Sequence, residues 1–420
     1  MKLRDYQIQI STDACEVLQR KKLVCLFMEV RTGKTLTAFE IANKFGANKI
    51  LFITKIKAFD NIIKDSKHFN FEVTVINRES LHKIETNDFD LIIIDEVHGY
   101  ASYPKPSKYH KDIKKRFGSL PMILLSGTPT PESYSQYYHI FNLSNYSPFL
   151  ETNFYKWADK YVDIQKRYLG YAQVNDYFNA RKKDFWHLIR HYIFTFTQEQ
   201  AGFTSSVNEI ILEVEMQPIT YKIIDKLKKD LIVQNKEGQV ILADTGAKLM
   251  QKHHQLSSGT CKFEDGSSKV IDYSKAMFIK EKFKNKKIGI FYKFVEEYNA
   301  LKHIFREELT NDLNEFNTTN KSIALQIVSG REGISLKEAD CLVFYNIDFS
   351  AVSYWQARDR LTTMERLENT VYWIFAKNGI EHEIYKTVLK KKNYTLSIYE
   401  GASNTNKDNS QTKKRRLALR

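Results

Sequence analysis

The sequence predicts an α/β protein made of two parallel-sheet lobes with an aromatic-rich helical insertion between them. Three observations lead there. In the first third, short apolar runs at Leu23 to Met28, Ile50 to Ile53, Val73 to Ile76, Leu91 to Ile94 and Met122 to Leu125 alternate with amphipathic helical patterns, as buried strands wrapped by helices do. A second series follows at Ile288 to Tyr292, Ile323 to Val328, Cys341 to Tyr345 and Val371 to Phe375. Between them, from Tyr134 to Phe203, 20 of 70 residues are aromatic against 13% in the whole chain. Phe154, Trp157 and Tyr161 have helical spacing, and packing inside a helical module is the commoner use of such residues than a platform for stacking bases.

Composition narrows the function classes. The 420 residues correspond to about three domains. With Gly 16, Pro 7 and 42% hydrophobic residues, collagen-like, mucin-like and mostly disordered chains are excluded. The amino terminus, Met1-Lys2-Leu3-Arg4-Asp5-Tyr6-Gln7, carries charges where a signal peptide needs an apolar run. No stretch approaches the roughly 18 apolar residues of a membrane span, so a soluble, cytoplasmic protein with no membrane partner is expected. Cys15, Cys25, Cys261 and Cys341 are widely spaced, which indicates neither a disulfide framework nor a zinc ribbon. His253, His254 and Cys261 match no zinc spacing and read as ordinary helix surface. The net charge is +14, and from Gly401 onward six basic residues face Asp408 alone. A basic excess of this kind points to a polyanion partner, nucleic acid first.

The chemistry-bearing residues start where the strand Leu23 to Met28 runs through Glu29-Val30-Arg31-Thr32-Gly33-Lys34-Thr35 into a helix with apolar positions Leu36, Phe39, Ala42 and Phe45, stopped by Gly46. Strand, loop, Gly-Lys-Thr and helix make a phosphate cradle. Backbone N–H groups at the helix start face the anion, Lys34 reaches the β- and γ-phosphates, and Thr35 offers its hydroxyl to Mg²⁺. Met28 stands where the usual pattern has its first glycine. Further on, Leu91-Ile92-Ile93-Ile94 delivers Asp95 and Glu96, then Val97 and His98, with Asp95 61 residues beyond Lys34. Open α/β sheets bind ligands at the carboxyl ends of their strands. There Asp95 would hold Mg²⁺ and Glu96 would align and deprotonate the attacking water.

With these motifs in order, the sequence resembles the superfamily-two helicases and translocases of DExH type, and within them the Swi/Snf-like ATPases, particularly the compact versions found in phages. The likeness runs from about Leu3 to Ala376. Leu3-Arg4-Asp5-Tyr6-Gln7 resembles the family's first motif, which implies that Gln7 reads adenine with Arg4 nearby. Ser126-Gly127-Thr128-Pro129 resembles the motif that couples hydrolysis to movement between lobes. Ser329-Gly330-Arg331-Glu332-Gly333-Ile334-Ser335-Leu336 is similar to the second-lobe motif that touches nucleic acid, through Ser329 and Gly330, and nucleotide, through Gly333. Gln356-Ala357-Arg358-Asp359-Arg360 resembles the start of the arginine-finger motif, with Gln356 a coupling residue.

The resemblance implies two RecA-like lobes with ATP and Mg²⁺ at their cleft. Lobe one would span 1–145, a helical protrusion or linker 146–201, lobe two 202–400 and a disordered basic tail 401–420. Nucleotide would be held by Arg4, Gln7, Arg31, Thr32, Gly33, Lys34, Thr35, Asp95, His98 and Gly333, the metal by Thr35 and Asp95. Nucleic acid would meet Thr54, Lys55 and Lys57 after one strand and Asn77, Arg78 and Ser80 after another, since hydroxyls, amides and cations on phosphate oxygens give affinity without sequence information. Two departures stand out. Arg31 occupies a place that is glycine in chromatin-remodelling members, and Thr363 occupies the place of the last motif's second arginine. Arg360 keeps the family's register, Arg366 lies one turn further along, and Arg358 is a third candidate. The activity implied is a DNA-dependent ATPase that moves along or remodels duplex, forked or branched DNA. A strand-separating DNA or RNA helicase is the first alternative. The second is a nonenzymatic nucleic-acid-binding module with a decayed ATPase, against which the intact Gln7, Lys34, Asp95 and Glu96 stand.

Overall fold

The computed structural model describes residues 3–86, 88–169, 172–202, 206–327, 336–350 and 368–389. The chain divides after Gly202 into two compact units. The strands of the first are β1 (Leu23–Met28), β2 (Lys49–Ile53), β3 (Glu72–Ile76), β4 (Leu91–Ile94), β5 (Met122–Ser126), β6 (Gln165–Leu169), β7 (Ala172–Asp176) and β8 (Ile193–Phe196). Its helices are α1 (Asp5–Lys21), α2 (Lys34–Phe45), α3 (Phe59–Ser66), α4 (Lys108–Phe117), α5 (Gln136–Asn142), α6 (Phe154–Tyr161) and α7 (Lys182–Ile189). Six strands form one sheet in the order β3-β2-β4-β5-β1-β8, every neighbouring pair parallel.

Parallel pairing puts all carboxyl ends on one edge. Glu29, Thr54, Asn77, Asp95 and Gly127 each follow directly on a strand, so five loops of very different sequence position open on the same edge. The strands are apolar on both faces because both faces are covered. Along β1, Leu23, Cys25 and Phe27 join one core, while Val24, Leu26 and Met28 join the other. The second core receives α1 and α2 through Leu18, Phe39 and Ile41.

The first core is filled by the aromatic-rich segment. Trp157, Tyr137 and Phe185 are completely buried, with the Phe185 ring 5.3 Å from Trp157 and 6.0 Å from Tyr137. The aromatics therefore serve as interior. The segment 146–201 is not purely helical: α6 and α7 pack on the sheet, β6 and β7 pair as an antiparallel hairpin, and β8 extends the sheet beside β1. The physical reason is the alternating Ile193-Phe194-Thr195-Phe196 run, which has strand periodicity inside a region of helical spacing.

The second unit contains β9 (Ser206–Val214), β10 (Ile232–Gln234), β11 (Val240–Leu242), β12 (Thr260–Lys262), β13 (Ser268–Val270), β14 (Ile288–Tyr292), β15 (Leu309–Thr310), β16 (Ser322–Gln326), β17 (Cys341–Phe344) and β18 (Glu368–Ala376). Its helices are α8 (Pro218–Asp230), α9 (Gly246–Ser257), α10 (Ser274–Lys282), α11 (Val295–Phe305) and α12 (Leu313–Thr318). Its sheet runs β15-β16-β14-β17-β18-β9, again parallel throughout, with β9 an edge strand in register with β18 from Ser206 to Val214. Two small hairpins, β10–β11 and β12–β13, join α8 and α9 around a satellite core of Ile224, Leu227, Ile241, Leu256 and Phe263.

His254, read from sequence as helix surface, is buried instead. Its Nε2 lies 2.6 Å from Asn346 Oδ1, and its ring meets Phe294 and Phe349 edge-on. The face of α9 that carries it also carries the buried Ser257 and Ser258 turn, so the helix end turns inward. All four cysteines are buried thiols. No helix among the described residues is long and apolar enough to cross a membrane.

Three buried histidines make stability depend on pH. Burial lowers His110 and His139 to about 4 and His254 to about 3, from an ordinary value of 6.5. Unfolding exposes them to water, where they take up protons near 6.5. Between pH 6.5 and about 4 the unfolded chain therefore binds more protons, and stability falls as pH falls, by about 1.4 kcal/mol per pH unit for each histidine. Denaturant midpoints measured from neutral pH downward are expected to drop below pH 6.5, and His254→Gln should flatten the profile of the second unit. A profile that stays level through that window would contradict the burial of these rings.

Candidate nucleotide site

The cradle is shaped by a contact that allows only glycine. Gly33 caps α2 with φ +80°, and a Cβ there would lie 2.4 Å from Nε2 of the buried Gln7. Gln7 itself donates from Nε2 to the Gly33 carbonyl at 3.3 Å and accepts the Arg4 N–H at 2.9 Å. Beside it the Tyr6 hydroxyl donates to the Thr32 carbonyl at 2.9 Å. The start of α1 is thus bolted to the loop before α2, with Gln7 held against it. Within the loop the Thr32 hydroxyl donates to the Glu29 carbonyl at 2.7 Å, and Lys34 Nζ donates to the carbonyls of Met28 and Glu29, each at 3.0 Å. Lys34 is in this way folded back over the loop. Arg31 has φ +62°, the left-handed region in which glycine is at ease.

Opposite the cradle stand the two carboxylates. Asp95 Oδ2 accepts the Thr54 hydroxyl at 2.9 Å and Oδ1 accepts the Glu96 N–H at 2.9 Å. Burial, and next the neighbouring Glu96 carboxylate, push Asp95 up to about 6 against the pull of Lys34. Glu96 is held at φ +48°, a conformation that costs a non-glycine residue energy and is met at functional sites. His98 Nδ1 lies 3.2 Å from Glu96 Oε2 and 3.2 Å from Ser126 Oγ, and Ser126 Oγ accepts the Thr128 N–H at 3.1 Å. Gly127 packs on the cradle: a Cβ there would sit 3.6 Å from Lys34 Nζ and 3.6 Å from the Met28 carbonyl.

The donor set suits a phosphate and a hard cation. The first N–H groups of α2 have no partner within the helix and point at the loop's concave side. Each Asp95 oxygen accepts one hydrogen bond and keeps a lone pair, and Thr35, in the first turn of α2, is half-buried. Lys34 supplies the positive charge. Asp95 and Thr35 could hold Mg²⁺, while Glu96 could take a proton from water.

The structure gathers Gln7, Arg31, Thr32, Gly33, Lys34, Asp95, Glu96, His98, Ser126, Gly127 and Thr128 on one sheet edge, with Arg4 exposed at the cap of α1. The predicted nucleic-acid residues separate. Thr54 is buried and gives its hydroxyl to Asp95, so it belongs with the carboxylates. Asn77 is buried and donates to Glu79 at 3.0 Å, and Arg78 pairs with Glu79 at 2.7 Å and covers the Tyr109 ring. Lys55 and Lys57 are exposed, and Ser80 is half-buried. Ser329, Gly330, Gly333, Gln356, Arg358, Arg360, Arg366 and the tail lie outside the described residues. Sequence reasoning missed Glu29 and Gln198: the Gln198 N–H donates to Glu29 Oε2 at 2.6 Å and its side chain to the Val30 carbonyl at 3.0 Å. The alternation of Ile193 to Phe196 is the signal that could have brought Gln198 to the end of a strand beside β1.

Residues 52–255 match the family model of the SNF2-related domain. Asp95, Glu96, His98 and Ser126–Thr128 fall inside the matched residues of the SNF2-related domain, and Gln7 and the cradle precede them. Among solved structures, the Sulfolobus solfataricus SWI2/SNF2 ATPase core in complex with dsDNA is similar at 16% identity and a TM-score of 0.43, covering 95% of this chain and 93% of that one. The Sulfolobus solfataricus SWI2/SNF2 ATPase core domain is similar at 16% identity and a TM-score of 0.40, covering 93% and 89%. No curated protein sequence matches the chain.

Gly33→Ala tests the cradle. The left-handed φ alone costs an alanine about 1–2 kcal/mol, and its Cβ displaces Gln7. A fluorescent ATP analogue should bind about tenfold or more weakly, while circular dichroism stays that of the parental fold. Unchanged affinity would mean that nucleotide does not use this loop.

Proposed function

We propose that this chain is an ATP-dependent DNA translocase that couples hydrolysis on its first sheet to movement along duplex, forked or branched DNA. One observation carries the reading: Lys34, Asp95 and Glu96 converge on one edge of a parallel sheet, the carboxylates inside an SNF2-related domain. The Sulfolobus core that resembles the chain overall is described as bound to dsDNA, and the excess of 64 basic over 50 acidic residues suits the same partner.

The residues divide the work. The α2 N–H groups and Lys34 orient and neutralise the terminal phosphates, so the transferring group starts in line. Gln7, fixed against Gly33, presents its amide to the base. Glu96 accepts the proton of the attacking water. Mg²⁺, when bound, spreads the developing phosphate charge. His98 ties Glu96 to Ser126 and from there to Thr128, so a change at the water-activating carboxylate is felt in the segment between β5 and α5. Arg360, or else Arg366, supplies the cation that stabilises the transition state.

Measuring ATP hydrolysis with duplex DNA, single-stranded DNA and RNA in parallel tests the substrate, with stimulation by duplex DNA expected. Glu96→Gln should keep ATP affinity close to parental and lose turnover by about 10²–10⁴-fold. Hydrolysis by Glu96→Gln near the parental rate, or stimulation by RNA alone, would contradict the assignment.

A further inference from the structure

The hairpin β6–β7 has no partner sheet and reaches away from a rigid base. Its five cross-strand pairs run from Gln165↔Asp176 to Leu169↔Ala172, so each strand extends about 17 Å at 3.4 Å per residue. At the base, Val162 and Ala180 are buried and bridge the two arms, the Asp163 N–H donates to the Asn179 carbonyl at 2.9 Å, and Arg181 joins Asp163 to Asp184. The returning arm is tied to the segment that follows Ser126-Gly127-Thr128: the Ser135 hydroxyl donates to the Tyr177 carbonyl at 2.5 Å and the Ser133 hydroxyl to the Phe178 carbonyl. Both serines are completely buried. The hairpin thus stands on the same loop that packs against Lys34 and receives His98.

One face of the hairpin has a defined chemistry. Lys166 is directly opposite Asn175 and Tyr168 opposite Gln173. Residues opposite each other and two apart share a face, so these four lie together, all exposed, with Tyr168 76% exposed. Neither Lys166 nor Tyr168 has a hydrogen bond or ion pair among the described residues. The face holds one cation, two amides and one aromatic ring, with no carboxylate and no aliphatic side chain. A protein partner wants an apolar centre; this set instead matches phosphate oxygens, base edges and base faces. In continuous duplex the base faces are covered by their neighbours. An aromatic side chain can stack only where a base pair is left open, at an end or a junction.

We propose that the β6–β7 hairpin reads the junction between duplex and single-stranded DNA, with Tyr168 stacked on the terminal base pair and Lys166 on the flanking phosphate. This rests on the DNA reading above and gives it a substrate: forked DNA. Because the hairpin is anchored through Ser133 and Ser135, engagement at a fork bears directly on the loop beside Lys34, and forks should stimulate hydrolysis more than continuous duplex does.

The test uses the full-length protein, a fluorescent fork, and closed circular duplex as the end-free competitor. The parental chain should prefer the fork. Tyr168→Ala should bind the fork about tenfold more weakly, the loss expected for one stacked base, and bind closed circular duplex as before. Lys166→Ala should lower the log–log salt slope on the fork by roughly 0.9. DNA-free hydrolysis should be unchanged in both, since neither residue touches the nucleotide site. A parental chain without fork preference, a Tyr168→Ala protein that keeps it, or equal losses on both DNAs would each overturn the proposal while leaving the translocase reading intact. Failure of the parental chain to bind any DNA would overturn both.

Discussion

The arrangement depends on two adjacent carboxylates held at the end of one buried strand. Burial, and next repulsion from the Glu96 carboxylate, push Asp95 up to about 6. Several features at this edge oppose that shift. Thr54 and the Glu96 N–H occupy one lone pair on each Asp95 oxygen, and Lys34 adds a positive charge. Strand order makes this possible. β2, β4, β5 and β1 lie side by side and parallel, so Thr54, Asp95, Gly127 and the loop to Lys34 meet although 73 positions separate Thr54 from Gly127. A site that concentrates negative charge in this way favours a divalent cation, whose charge offsets the repulsion between the carboxylates.

The cradle is the second constraint. Close approach of Gln7 to Gly33 removes any room for a side chain, and the same contact fixes the start of α1. The Gln7 amide and the turn before α2 are thereby positioned by a single interaction. Arg31, at φ +62°, takes up the left-handed turn of this loop without a glycine.

Much of this was legible in the sequence because parallel strands buried on both faces are continuous apolar runs. The runs at Leu23 to Met28, Leu91 to Ile94 and Ile288 to Tyr292 coincide with β1, β4 and β14, and the residues after the first two lie on one edge of the first sheet. Where periodicities overlap, legibility ended. The aromatic segment hides β8 between helices, and so hid Gln198 and its bonds to Glu29 and Val30. Polar residues in loops carry no periodicity at all. Thr54 and Asn77 look alike as candidates for phosphate contact, yet one bonds Asp95 and the other Glu79. His254 beside His253 offers no sign that only one of them is sealed into the core against Asn346.

The most direct measurement of the central claim is a crystal structure of the chain with Mg²⁺ and a non-hydrolysable ATP analogue. The account predicts the β- and γ-phosphates against the backbone N–H groups of Gly33 to Thr35, the metal between Thr35 and Asp95, the base beside Gln7, and a water within hydrogen-bond reach of Glu96. Nucleotide bound elsewhere, or bound here with Asp95 and Glu96 both remote from the metal and the terminal phosphate, would contradict it.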